Sequence, residues 1–320
     1  MSTLAESVDV ANIPEVEGRS PRQLFWERFK QDKAAIASAV FIIVLVLVAI
    51  FAGVIAKYLA HGHGPNELFA LEAQDEFGLP KGPNSQFYFG GDNVGRDVFV
   101  RVLYGARTSL LVALVATVVA VTIGVIVGII SGFFRGAVDT LFSRIIDIFL
   151  AMPLLLFAIG IVAACSASKE GCVGGLIKPG VTLVVFVIAI FSWPYIARII
   201  RGNVLSLREK EFVEASRSLG AGNVRIMFRE ILPNLVAPII IYSTLLIPSN
   251  ILFEAALSYL GLGVPPDTPS WGQMLSDASG IFDVAWWFMF FPGLFLVATT
   301  LSFNLLGDGL RDALDPRSGR

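Results

Sequence analysis

The sequence has few charged residues for its length. Only 16% of its 320 residues are Asp, Glu, Lys or Arg, whereas 55% are apolar, and the mean hydropathy is +0.73. A soluble globular chain carries about 25% charged residues. The composition therefore excludes an ordinary water-soluble domain and indicates that lipid surrounds much of the chain.

The sequence also lacks a basic excess and a cysteine framework. Its 24 basic and 26 acidic residues give a net charge of −2, so no nucleic-acid partner is expected. Cys165 and Cys172 are too few for a disulfide scaffold and wrongly spaced for a zinc site; a disulfide between them and two free thiols are both open. His61 and His63 alone make an incomplete metal site, so no metal is expected.

Catalytic motifs are missing as well. No Gly-Lys pair occurs, so the chain has no phosphate-cradling loop for ATP, and it contains no HExxH, CxxC or GxSxG motif. We therefore expect neither a bound cofactor nor an enzymatic activity of this chain itself.

Six uncharged runs exceed the length of about 18 residues that a membrane-spanning helix requires. They predict an all-α integral membrane protein with six transmembrane helices. The runs are Ala34–Ala56, Thr108–Phe134, Ile148–Ser168, Pro179–Ala197, Ile231–Phe253 and Val284–Gly307. They divide the chain into a tail at 1–33, a first helix at 34–56, an outer loop at 57–107, a core of five helices at 108–307 and a tail at 308–320.

The distribution of Lys and Arg predicts the orientation of these spans. With the N-terminus inside, 17 of the 24 basic residues fall on the inner side and 7 on the outer side. Because basic residues concentrate in cytoplasmic loops, both termini are expected in the cytoplasm. The stretch PRQLFWERFKQDK at 21–33 suits either an interfacial amphipathic helix or a plain basic flank of the first span.

The spans themselves lack ionisable residues, which an ion-coupled carrier would need inside the membrane. Arg144 and Asp147 lie at the entry to the third run and are spaced for a pair on one helix face. Glu254 comes just after the fifth run. A self-sufficient channel or ion-coupled carrier is therefore disfavoured. In the second run, Gly124, Gly128 and Gly132 form a stripe that predicts close helix packing.

The longest inner loop, residues 201–234, has the pattern of two short helices. Ser206 and Glu209 are spaced as a capping box, which predicts a helix starting near Leu207. Gly220 is the residue type that ends a helix in a left-handed conformation, and Pro233 is expected to stop the second helix. Two helices joined at a glycine corner would project into the cytoplasm and suit docking into a partner's groove.

This loop resembles the EAA loop of bacterial ABC importer permeases, in its residues Glu214, Ala215, Ser216, Gly220 and the pair Leu232 and Pro233. Ser216 replaces the second alanine, and Glu230 stands where the pattern has an apolar residue. Two further stretches, FGGDNVGRDVFVRVLYGARTSL at 89–110 and LSYLGLGVPPDTPSWGQML at 257–275, are similar to the dipeptide/oligopeptide permease subfamily of the DppC/OppC type.

The resemblance implies a type I ABC importer permease fold and a set of partners. They are a second homologous permease subunit, two ATPase subunits that use ATP and magnesium, and an extracytoplasmic substrate-binding protein. It assigns the EAA-like residues to ATPase coupling, with peptides as cargo and nickel chelates or oligosaccharides as same-family alternatives. Residues expected to dock the binding protein or to form a gate are Asp92, Arg96, Asp97, Pro265 and Trp271; for the charged ones, mutual salt bridges are the alternative.

Overall fold

A computed structural model describes residues 20–167, 171–172 and 174–314, which are almost entirely helical. The predicted tail before Ser20 and the last six residues lie outside this description. The helices are α1 Pro21–Phe29, α2 Lys33–Ile50, α3 Ala52–Leu59, α4 Ala70–Ala73, α5 Val98–Phe133, α6 Ala137–Ala151, α7 Leu154–Ser166, α8 Val181–Leu207, α9 Glu211–Ser218, α10 Asn223–Arg225, α11 Leu232–Asn234, α12 Val236–Tyr259, α13 Trp271–Ala278 and α14 Trp286–Leu314.

Five helices are long and apolar enough to cross a membrane within the described residues: α2, α5, α8, α12 and α14. A sixth crossing results if α6 and α7, which meet at an angle of 89°, are taken as one span. The prediction of an all-α membrane protein is thereby confirmed, and the number of candidate spans is five, or the predicted six when the bent pair is counted as one span.

The third predicted span is not one continuous helix, which corrects the prediction. The apolar run at 148–168 indicated a continuous helix, but α6 ends at Ala151 and α7 begins at Leu154. Pro153 has no N–H for the helix ladder, and its ring pushes Met152 out of the helical region, where Met152 adopts φ −75° and ψ 136°.

Helices α5 and α14 extend beyond the apolar runs that predicted them. Asp97 caps the start of α5 by accepting hydrogen bonds from the N–H groups of Phe99 and Val100, so this helix starts ten residues before the predicted span. Helix α14 extends to Leu314, so residues 308–314 are helical and do not form a separate tail. The predicted interfacial segment is also helical, as α1, which begins at a capping box of Ser20 and Gln23 and packs against α14.

Helices α5 and α8 form the most extensive contact in the bundle, and α2, α12 and α14 pack around α5. One end of the bundle carries α1 and the segment between α8 and α12; we call it the hairpin end. The other end carries the loops at 60–97 and 260–270, and we call it the loop end. Near the loop end, the disulfide Cys165–Cys172 ties the end of α7 to the loop that leads to α8.

The glycine stripe of α5 lies directly against α8. A Cβ atom on Gly128 would be 2.8 Å from the carbonyl oxygen of Ala197 and 2.8 Å from Ile200 Cβ. The equivalent distances at Gly124 and Gly132 are 2.7 Å to Ile196 and Val204. These values are shorter than a van der Waals contact, so a side chain at any of the three positions would separate the helices.

We expect Gly128→Val to destabilise the bundle by about 1–3 kcal/mol, because overpacking forces the two backbones apart. Gly160→Val is the matched control, since no atom lies within 4 Å of a Cβ atom placed there. Thermal unfolding of the purified chain in detergent should show a lower Tm for Gly128→Val than for Gly160→Val. Equal Tm values would contradict the packing role of the stripe.

Candidate functional site

The segment between α8 and α12, residues 208–235, folds as a helical hairpin at the hairpin end. Helix α9 runs from Glu211 to Ser218, and the chain then turns at Gly220, whose φ of 81° lies in the left-handed region. The second arm consists of α10, a π-helical turn at Ile226–Ile231 and α11. The predicted pair of helices with a glycine corner is therefore present.

Two details of the predicted hairpin are wrong. Ser206 lies inside the last turn of α8, so the first arm begins at Glu211 and not near Leu207. Pro233 does not stop the second arm but lies in the first turn of α11, where a missing N–H costs no intrahelical hydrogen bond. The widened π-helical turn before it was not indicated by the sequence.

Buried apolar side chains fix the hairpin to the membrane helices. Val213 from the first arm and Ile226 and Ile231 from the second are fully buried, in one cluster with Ile200 and Val204 of α8. Both arms therefore pack in one apolar cluster with the end of α8.

The opposite face of the hairpin is exposed and partly apolar. Glu214 and Ala215 are exposed on α9, and the side chain of Leu219 is 90% exposed next to the Gly220 corner. Val224 adds an exposed apolar side chain on the second arm, whereas the exposed Phe228 borders a groove with Ile126 and Ile130 of α5. Ser216 and Leu232 are half-buried, and Pro233 is exposed. Exposed apolar side chains rimmed by polar residues mark a protein-binding surface.

Polar contacts join α8 to the start of α6, and the first residue of the hairpin to the end of α5. Arg201 Nε and Nη2 lie 2.6 and 2.8 Å from the two carboxylate oxygens of Asp139, which also accepts a hydrogen bond from the Ser131 hydroxyl at 2.8 Å. Arg208 donates to the carbonyl oxygen of Gly132 at 2.6 Å. Arg201, Arg208 and Asp139 were not predicted as site residues, and Gly132 was predicted only for helix packing.

Further charged pairs lie nearby. Arg135 pairs with Glu209, and this hydrogen bond lowers the pKa of the exposed Glu209 carboxyl. Asp147 pairs with Arg198 on α8, so the predicted pair between Asp147 and Arg144 is wrong. The partners come from different helices, a long-range pairing that residue spacing along one helix cannot indicate.

The ion pair between Asp139 and Arg201 should stabilise the hairpin end through a direct interaction. In a double-mutant cycle with Asp139→Ala and Arg201→Ala, we expect a coupling energy of about 0.5–3 kcal/mol in thermal unfolding, the range typical of contacting residues. Glu76→Ala paired with Arg201→Ala is the control, because Glu76 is exposed in the loop at 60–97. Additive effects in both cycles would contradict the interaction.

At the loop end, Asp92 and Asp97 are buried and hold the loop at 60–97 against the bundle. Asp92 forms an ion pair with Arg96, and its Oδ2 lies 3.7 Å from Nε of the fully buried Arg101. Asp97 Oδ2 lies 3.0 Å from His63 Nδ1, and burial raises the pKa of the Asp97 carboxyl. Both carboxylates face the interior of the chain in this conformation. This favours the predicted alternative, mutual salt bridges among the charged residues of the loop, over docking of the binding protein through these side chains.

Trp271 is also buried, which corrects its assignment to a docking surface. It starts α13, and its indole N–H donates to the carbonyl oxygen of Val102 at 3.2 Å. Pro265 is half-buried in the neighbouring loop and contacts the position of Gly180. The loop at 260–270 therefore packs on α5. A role of this loop as a gate would require the loop to move, because Trp271 is not exposed.

Glu254 lies inside α12, and not just after a span as predicted. It is fully buried and accepts hydrogen bonds from the hydroxyl groups of Ser109 at 2.9 Å and Ser258 at 2.7 Å. Ser109 Oγ also lies 3.4 Å from the backbone N of Trp271. The carboxyl group thus connects α12 and α5 below the loop at 260–270. Within the described residues, no three His, Cys, Asp or Glu side chains cluster in a way that could hold a metal ion.

Comparisons with known proteins agree with this geometry. Residues 124–320 match the family model described as "Binding-protein-dependent transport system inner membrane component". Residues 20–69 match the "N-terminal TM domain of oligopeptide transport permease C". The first match covers more than half of the chain and includes the complete hairpin.

Two curated relatives share 42% identity with this chain over 299 residues. They are the glutathione transport system permease protein GsiD of Escherichia coli O6:K15:H31 (strain 536 / UPEC) and that of Shigella boydii serotype 4 (strain Sb227). The alignment covers 93% of this chain and 91% of either relative.

Solved structures share the fold. An inward-facing structure of the MetNI methionine ABC transporter gives a TM-score of 0.55 at 19% identity, covering 68% of this chain and 96% of that one. A second crystal form gives 0.54 at 20% identity. The predicted type I ABC importer permease fold is confirmed, and the chain belongs to the family of binding-protein-dependent transport system inner-membrane components.

Proposed function

We propose that this chain is one of two permease subunits of an ATP-driven importer that carries short peptides, glutathione among them, into bacteria. The second permease subunit is a homologue, two ATPase subunits bind at the hairpin end, and an extracytoplasmic binding protein delivers cargo at the loop end. ATP and magnesium are used by the ATPase subunits, and this chain supplies the membrane path and the mechanical coupling.

The observation that carries the proposal is the hairpin at 208–235, with one face buried on α8 and the other exposed. Buried Val213, Ile226 and Ile231 pack the hairpin in one cluster with the end of α8, while Leu219 and Val224 offer exposed apolar side chains to a partner. A ligand shifts a conformational equilibrium only through contacts that differ between two states. A rigid hairpin seated in an ATPase groove supplies such contacts to α8.

Two observations support an orientation with the hairpin end in the cytoplasm. The basic residues are concentrated at that end, as expected for cytoplasmic segments. The disulfide Cys165–Cys172 lies near the opposite end, and disulfides persist on the oxidising side of a bacterial inner membrane. Both observations support the proposal that the N-terminal side and the end of α14 are inside and that the loop at 60–97 is outside.

The short-peptide cargo is supported by the match to the oligopeptide permease N-terminal domain and by the likeness to glutathione permeases. Thermal unfolding of the cognate binding protein tests it. A cargo present at about a hundred times its Kd stabilises the binding protein by about 2.7 kcal/mol. We expect dipeptides, oligopeptides or glutathione to raise its Tm. A rise with nickel chelates or oligosaccharides alone would contradict the peptide assignment.

Substitutions in the hairpin test the coupling role. We expect Glu214→Lys and Gly220→Val to abolish cargo uptake and cargo-stimulated ATP hydrolysis in reconstituted vesicles, while the protein still inserts. Glu214→Lys reverses a charge on the exposed face of α9, and Gly220→Val places a β-branched residue at φ 81°, where L residues are strained.

The chain offers a matched control for each variant. Glu76→Lys makes the same charge change on an exposed residue at the loop end. Gly222→Val adds the same side chain two residues beyond the corner, at φ −72° and with no atom within 4 Å of its Cβ. Both controls should retain uptake. Full uptake by Glu214→Lys and Gly220→Val would contradict the coupling role.

A further inference from the structure

A cavity of about 260 Å³ opens between α7, α8 and α12, and its wall combines apolar with uncharged polar residues. The apolar lining residues are Leu154 from α7, Phe191 from α8, and Leu245, Leu246 and Phe253 from α12. The polar members are Ser192, Tyr195, Ser249 and Asn250.

The cavity lies near the middle of the membrane. Ser192 is eleven residues from the loop end of α8, a distance of about 16 Å at the helical rise of 1.5 Å per residue. Asn250 is nine residues from the loop end of α12, or about 14 Å. Half the hydrocarbon thickness is about 15 Å. Measured from the loop ends of these helices, both polar residues therefore lie about halfway through a layer of this thickness.

The break between α6 and α7 borders the cavity, and it is exposed. Ala151 and Pro153 are exposed, and Leu154 lines the cavity immediately after them. Non-helical backbone at membrane depth is stable only where protein buries it or where it lines a water-filled space. This face of the chain therefore does not face lipid in the assembled transporter.

The polar groups of the cavity are incompletely satisfied within the described part of the chain. Asn250 accepts a hydrogen bond from the Ser192 hydroxyl at 2.8 Å and donates one to the Thr117 hydroxyl at 2.8 Å. The hydroxyl groups of Tyr195 and Ser249 have no hydrogen-bond partner among the described residues, and both residues are exposed to the cavity side.

We infer that Ser192, Tyr195 and Ser249 form a contact site for the uncharged main-chain amides of a short peptide halfway along its path, with the buried Asn250 holding the Ser192 hydroxyl in place. The site offers hydroxyl groups that both donate and accept, as a peptide bond requires. It has no charged side chain in its wall, so it would not hold the charged termini or favour an inorganic ion. This inference rests on the proposed peptide-importer function.

Accessibility of one position tests the site directly. Ser249→Cys introduces the single free thiol of this chain among the described residues, because Cys165 and Cys172 are bonded to each other. In the assembled transporter, with the ATPase subunits and binding protein present, we expect a membrane-impermeant maleimide to label this thiol during turnover. Excess short peptide should slow the labelling severalfold.

Val44→Cys on α2 is the matched control, because Val44 is exposed near the middle of a helix that packs on α5 and α14. We expect no labelling there, since lipid surrounds that surface and the thiolate forms only in water. Absence of labelling at Ser249→Cys, or labelling that peptide does not slow, would overturn the contact site.

Uptake kinetics provide a second measurement. Tyr195→Phe should raise the KM for peptide uptake about threefold to tenfold, the effect of losing one neutral hydrogen bond. Tyr259→Phe removes a hydroxyl from a residue of nearly equal exposure at the loop end of α12 and should leave KM at the wild-type value. Equal KM values for the two variants would overturn the site.

These results distinguish a failure of the contact site from a failure of the proposed function on which it rests. If the wild-type transporter imports no peptide, the proposed function fails, whatever Ser249→Cys shows. If the wild type imports peptide while Ser249→Cys and Tyr195→Phe behave as their controls, the function stands and the contact site is wrong.

Discussion

The close approach of α5 and α8 is the constraint on which the rest of the structure depends. In lipid, helices gain little from hydrophobic burial against each other, so association relies on tight packing of small residues. The stripe of Gly124, Gly128 and Gly132 lets the α5 backbone reach that of α8. The same contact brings the end of α5 to the base of the hairpin, where Arg208 bonds to the carbonyl oxygen of Gly132.

The hairpin is thereby attached to two helices at once. Its buried residues hold α8, and the pair of Arg201 with Asp139 connects α8 to the start of α6. Because α6 meets α7 at the break, these contacts connect the hairpin to α7 and α8, two of the three helices that line the cavity. The loop end is held separately, by the ion pair of Asp92 with Arg101 of α5 and by Glu254, which bonds to Ser109 of α5.

Much of this arrangement could be predicted from the sequence because it depends on local patterns. The uncharged runs gave the number of spans, the spacing of the three glycines indicated the packing stripe, and Gly220 marked the corner of the hairpin. Contacts between distant segments could not be predicted. The pairs Asp139 with Arg201 and Asp147 with Arg198 join different helices, and the burial of Trp271 depends on where α13 packs against α5.

The break at Pro153 also affects how well the isolated chain fits a bilayer. Helix α7 has 13 residues and is about 20 Å long, whereas the hydrocarbon layer is about 30 Å thick. Lipid beside α7 must thin to cover this hydrophobic mismatch, at a cost of a fraction of a kcal/mol for each ångström. A neighbouring subunit that covers the short helix removes this cost. The bent pair thus gives the single subunit a free-energy gain on assembly, which is larger in a thicker membrane.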